Sequence, residues 1–73
     1  MSSNSVYRVI DVVGTSSQSW EDAAATAVKT AAGSLRDLRV AEVAKLDVTV
    51  GDDGTIQTYR ARLQLSFKYD PGD

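Results

Sequence analysis

The 73-residue chain contains no cysteine and no histidine. Without cysteine there are no disulfides to staple the fold and no thiolate ligands for a metal. Without histidine the commonest general base, the imidazole-activated nucleophile and the imidazole zinc site all drop out. Positive charge is not in excess either: eight Lys and Arg against ten Asp and Glu leave a formal charge of −2. No net positive field gathers phosphates, so nucleic acid is not the expected partner. No apolar run approaches the roughly 20 residues of a membrane span. The opening "MSSNS" has neither the basic region nor the apolar stretch of a secretory leader. The expected setting is the cytoplasm. A chain this short forms a single domain, 1–73, and buries only about 60% of its unfolded surface. Scaffolds of this size lean on disulfides, a metal or oligomerisation. With disulfides excluded, sister copies are the expected support, and an oxygen-ligated metal is a possible addition.

What is present reads as four elements. "VYRVIDVVG" is rich in β-branched residues, and the spacing predicts a strand over 5–14 ending at Gly14. Its faces are unusually alike: Val6, Ile10 and Val12 on one, Tyr7, Val9 and Val13 on the other, with Arg8 and Asp11 the polar intrusions. A strand apolar on both faces is normally buried on both. Turn chemistry follows from Gly14 to Ser19, with Ser19 as N-cap and Asp22 in a capping-box-like place. A helix is predicted over 20–36, with a slim stripe of Trp20, Ala24, Ala27, Ala31 and Leu35 flanked by Ala23 and Val28. Trp20 is expected in the core. "LRVAEVAKLDVTV" predicts a strand over 38–50. Its apolar residues fall on both parities, Val40, Ala44, Leu46, Val48 and Val50 on one and Ala41 and Val43 on the other, which marks a bulge or a switch of buried face. "GDDG" is a hairpin loop. The last strand, 55–69, alternates cleanly: Tyr59, Ala61, Leu63, Leu65, Phe67 and Tyr69 against Thr58, Arg60, Arg62, Gln64, Ser66 and Lys68. "DPGD" reads as a frayed tail. With the third strand between the first two, every neighbour is antiparallel and the helix covers one face. The class is α+β, in the order β-α-β-β.

These residues resemble the dodecin family over nearly the whole chain, Val6 to Tyr69. The resemblance rests on "VYRVIDVVGTSSQSWEDAA", on "RVAEV" and on "TYRARLQLSFKY". It implies a three-stranded antiparallel sheet wrapped around one helix and a hollow homododecamer. It also implies binding of a small ligand, commonly flavin, for storage or buffering and not for catalysis. Flavin-binding members carry Trp and Gln where this chain has Val40 and Arg60. An isopropyl group offers no stacking face, and a guanidinium donates but cannot accept, so flavin binding is expected to be weak. The resemblance places Val40, Glu42, Lys45 and Arg60 at the family's ligand-pocket positions. "VIDVVGTS", "SWE", "RVA" and "SFKY" are similar to the calcium dodecin branch, which also lacks the Trp and for which a bound calcium ion has been proposed.

Calcium needs several oxygens at one point, and the candidates are Asp11, Glu42 and Asp47. Asp11 has the alternative of pairing with an arginine of a neighbour. Arg60, Arg62 and Lys68 form a cationic row that suits either an anionic ligand or ion pairs between subunits with Glu42 and Asp47. The hydroxyls from Thr15 to Ser19 have no base beside them and read as caps. The expected protein is a non-catalytic homo-oligomer that holds a small ligand. The alternatives are a calcium binder and a purely structural oligomer with an incidental cavity.

Overall fold

The computed structural model describes residues 4–69; the first residues of the opening segment and the tail at 70–73 lie outside them. The elements are β1 (Val6–Ser16), α1 (Trp20–Ala32), β2 (Leu38–Val50) and β3 (Ile56–Tyr69). The sheet order is β1-β3-β2, with both pairings antiparallel. The central position of β3 and the α+β class agree with the sequence pattern.

The core is thin and is built from small residues. Ala23, Ala27 and Ala31 of α1 lie on Ala61, Leu63 and Leu65 of β3, and these six are the buried apolar side chains among the described residues. Ile10, Val12, Val28, Leu35 and Leu38 pack around them. Gly14 does not end β1 as expected. It sits within the strand opposite Ala61, and β1 continues to Ser16 opposite Tyr59. A Cβ on Gly14 would stand 2.2 Å from the carbonyl oxygen of Ala23 and 2.9 Å from the Cβ of Ala27. The helix backbone therefore rests directly on the strand, which only glycine permits here.

The helix N-terminus is tied as predicted, with one change. The Ser19 Oγ accepts from the Asp22 N–H at 3.0 Å. The Asp22 carboxylate does not reach back to Ser19; it accepts from the buried Ser16 hydroxyl at 2.6 Å. The Ser16 Oγ in turn accepts from the amides of Gln18 and Ser19. The helix stops at Ala32, four residues before the expected end, with Gly33 as its cap. Glycine costs about 1 kcal/mol in a helix relative to alanine. Asp37 then takes a left-handed conformation, φ 60°, and turns the chain into β2. Asp is among the few residues that tolerate this.

β2 is bulged, as its change of parity predicted, with register shifts between Leu38 and Val40, Val43 and Lys45, and Thr49 and Val50. The middle shift returns Leu46 and Val48 to the face that Val43 occupies, opposite Leu63, Ala61 and Tyr59 of β3. The helix lies over β1 and β3 and barely reaches β2. Val43 and Leu46 are each 50% exposed although they point to the helix side. The outcome is an open, elongated protomer measuring 59 × 20 × 15 Å. Its radius of gyration is 15.3 Å, against about 11 Å for a compact domain of this length. It exposes 5422 Å², where a folded chain of this mass exposes about 4400 Å².

Candidate ligand site on the helix-free sheet face

The face turned away from α1 is set by the alternation of β3. Thr58, Arg60, Arg62, Gln64, Ser66 and Lys68 project there, opposite to the core residues of the same strand. The register then assigns the flanking strands. Tyr7, Val9, Asp11, Val13 and Thr15 of β1 lie across from Lys68, Ser66, Gln64, Arg62 and Arg60. Val40, Glu42, Lys45, Asp47 and Thr49 of β2 lie across from Ser66, Gln64, Arg62, Arg60 and Thr58. All four pocket positions expected from the sequence, Val40, Glu42, Lys45 and Arg60, therefore share this one surface. The middle bulge brings this about: without the extra residue, Lys45 would fall on the other face.

Two features of the site differ from expectation. Asp47 pairs with Arg60 inside the chain, Arg60 Nε to Asp47 Oδ1 at 2.8 Å, where one of the two sequence readings put that pair between subunits. Trp20 is not in the core. It is 36% exposed, stands edge-on to Tyr59 at 5.2 Å, and donates from Nε1 to the main-chain oxygen of Asp47 at 3.0 Å. Asp47 thus connects the helix start to Arg60, its carbonyl toward the indole and its carboxylate toward the guanidinium. No sequence signal pointed to this link, because it depends on the register set by the shift between Thr49 and Val50.

The three candidate metal ligands do not converge within one chain. Asp11 and Glu42 stand on opposite sides of Gln64, two strand spacings or about 10 Å apart. Asp47 is engaged by Arg60. Among the described residues no three acidic side chains are grouped to hold an ion. Calcium takes six to eight oxygens, so the described residues of a single chain do not fit it. They do not fit a stacked flavin either: Val40 is an aliphatic residue, 55% exposed, and Arg60 is occupied by Asp47.

The remaining cations differ from Arg60. Arg8 is on the helix side, over the rings of Phe67 and Tyr69 at 5.9 and 5.8 Å, as a cation–π contact prefers. Among the described residues, Lys45 and Arg62 have neither an ion pair nor a side-chain hydrogen bond. In the hairpin, Asp53 Oδ1 accepts from the hydroxyl and the amide of Thr55, which hold its carboxyl below the ordinary value. No helix among the described residues is long and apolar enough to cross a membrane.

Residues 6–70 match the sequence profile of the family described as Dodecin. The chain is 54% identical over 67 residues to the calcium dodecin of Mycobacterium tuberculosis, covering 92% of this chain and 93% of that protein. Among solved structures it is similar to a calcium-chelating calcium dodecin from M. tuberculosis, with a TM-score of 0.79 at 52% identity, covering 94% and 97% of the two chains. It is also similar to the dodecin of Streptomyces coelicolor, with a TM-score of 0.86 at 35% identity and the same coverage.

Proposed function

This chain belongs to the dodecin family, and on that footing we propose that it assembles into a hollow homo-oligomer that holds a small ligand or ion and catalyses nothing. One observation carries the assembly: the open protomer, with its radius of gyration of 15.3 Å and a half-bare helix-side face. Val43 and Leu46 are apolar, half exposed and clustered, and burying such side chains contributes about 1.5–3 kcal/mol each. A second copy is the simplest cover. Dodecamers are typical of the family, and twelve copies are the expected number here.

For the ligand, calcium is favoured over flavin. The relative at 54% identity is named for calcium. This chain's surface offers carboxylate oxygens in Asp11 and Glu42, but no aromatic ring at Val40. Because the described residues of one chain do not group enough oxygens, the ion would be shared between copies, where symmetry repeats a carboxylate. The absence of histidine and cysteine supports a storage or buffering role over catalysis.

Light scattering on the eluting protein tests the assembly, and a monomer at micromolar concentration would reject it. Calorimetric titration of the assembled protein with calcium, beside fluorescence titration with riboflavin, tests the ligand. Calcium heats saturating at a defined stoichiometry, with little flavin quenching, are the expected result. Tight flavin quenching and no calcium heat would reverse the preference.

A further inference from the structure

The hairpin between β2 and β3 holds the one Asp-Gly step in the chain, Asp53–Gly54. Such a step is chemically reactive. Glycine has no side chain to shield its amide nitrogen, which can close on the carboxyl of the preceding aspartate as a five-membered imide. Here the step is open to water, with Asp52, Asp53, Gly54 and Thr55 all exposed. A Cβ at Gly54 would meet nothing within 4 Å, so no neighbour crowds the approach. Yet both reacting groups are held. The Asp53 Oδ1 accepts from the Thr55 hydroxyl at 2.7 Å and from the Thr55 amide at 3.1 Å. The Gly54 amide donates to the main-chain oxygen of Gly51 at 2.9 Å. Attack succeeds on a neutral carboxyl, which expels water, and fails on a carboxylate, which has no comparable leaving group. The two bonds from Thr55 favour the carboxylate and hold the group below its ordinary value.

We propose that Asp53–Gly54 is a site of spontaneous isomerisation to isoaspartate, and that Thr55 is the residue that keeps it slow. In the reaction the Gly54 nitrogen forms a bond to Asp53 Cγ. Its proton passes to solvent, and the carboxyl oxygen leaves as water. Water then opens the imide. Opening at the former main-chain carbonyl leaves Gly54 joined to Cγ and frees the old main-chain carboxyl as an acid. One water is lost and one gained, so the mass does not change and no oxidant is needed. The backbone gains one methylene. The group that accepted from Thr55 is now part of the chain, so the tie does not re-form and the hairpin tip stays altered. Asp52 is the internal comparison: it shares the loop and the exposure, but Asp53 and not glycine follows it. The proposal concerns one loop of one chain and does not depend on assembly or on a ligand.

The test incubates the full-length protein in warm, mildly acidic buffer and maps isoaspartate by peptide mass spectrometry and by enzymatic methylation specific for isoaspartyl carboxyls. The same chain unfolded in guanidinium chloride gives the unprotected rate. Folded wild type is expected to accumulate isoaspartate at position 53, and to do so about tenfold more slowly than the unfolded chain, the order given by one hydrogen bond to a charged group. Thr55→Val removes the hydroxyl donor and should recover most of that factor. Thr55→Ser keeps the hydroxyl and should stay with the wild type. Amide exchange at Gly51, whose N–H donates to the Thr55 carbonyl, should be the same in all three, which separates loss of the tie from opening of the hairpin. A folded wild type as fast as the unfolded chain overturns the proposal. So does a Thr55→Val variant as slow as the wild type, or one whose gain in rate is matched by faster exchange at Gly51. Isoaspartate at Asp52 in equal amount overturns it too, because the glycine would then play no part.

Discussion

The helix side of the sheet has two halves that are alike in sequence and unlike in fate. Under α1, Gly14, Ala61, Leu63 and Leu65 meet a row of alanines so closely that a single Cβ at Gly14 would collide. One strand away, Ala41, Val43 and Leu46 of β2 face the same direction with little above them. The hydropathy of the two halves is similar; coverage is not. The difference shows how a slim helix can serve a wide sheet. It is narrow enough to sit directly on the strands, and for the same reason it cannot span all three. The uncovered half is where the proposed second copy would find an apolar surface to cover.

The covered half should be the more sensitive to truncation. Leu65 is fully buried and central, so Leu65→Ala is expected to cost about 2–5 kcal/mol in chemical unfolding. A loss below 1 kcal/mol would mean that the alanine-lined core is far less close-packed than its burial indicates. Gly14→Ala probes the same half by overpacking, and a cost of about 1–3 kcal/mol is expected. The colliding atom is a helix carbonyl, which cannot rotate away as a side-chain end could. A neutral outcome would show that α1 can lift from the strand without penalty.

The uncovered half should respond in the opposite manner. Leu46 has little to lose inside the protomer, where it is half exposed. Leu46→Ala is therefore expected to leave secondary structure intact and to weaken association by about 1.5 kcal/mol or more per copy, the value of burying such a side chain. Dilution series followed by light scattering would read this as dissociation at higher concentration. Dissociation at the wild-type concentration would mean that the bare half is merely exposed, and the contrast between the halves would lose its meaning.

Much of this contrast was legible in the chain, and the illegible parts have identifiable causes. The alternation of β3 gave both faces of the sheet, because side chains in a strand have a period of two and β3 has no irregularity within its core segment. The mixed parity of the apolar residues in β2 announced a bulge, but not its position after Val43, so the face taken by Lys45 was not legible. The helix end was not legible: Leu35 packs on the core and so extended the apolar stripe past Gly33, although it is held by a turn and not by the helix. The surroundings of Trp20 were hidden for another reason. An aromatic residue at a helix start is expected to bury itself, but the core beneath α1 is too thin to accept an indole, which settles instead against Tyr59 and the edge of β2. The pairing of Asp47 with Arg60 could not be read either, since the register shift between Thr49 and Val50, beside the hairpin, sets which residue faces Arg60.

The hairpin that joins the uncovered strand to β3 gives the smallest effect and the sharpest local one. No core residue supports residues 51–54; Gly54 supplies a left-handed turn, φ 84°, and Asp53 accepts twice from Thr55. Those bonds favour the carboxylate and hold its folded-state pKa below the ordinary value. The sign follows from that depression. The tie is fully present above the ordinary aspartate pKa of about 3.9 and fades as pH falls through the lower folded value. Titration followed by NMR should place the Asp53 midpoint below that of a free aspartate. Thr55→Val removes the hydroxyl donor, the larger cause of the shift, and should raise the midpoint toward the ordinary value. Amide exchange at Ala23 and Ala27 should not change, because the covered core owes nothing to this loop. A midpoint indifferent to Thr55 would mean that the open half of the protomer is held at its tip by contacts from other copies and not by its own turn.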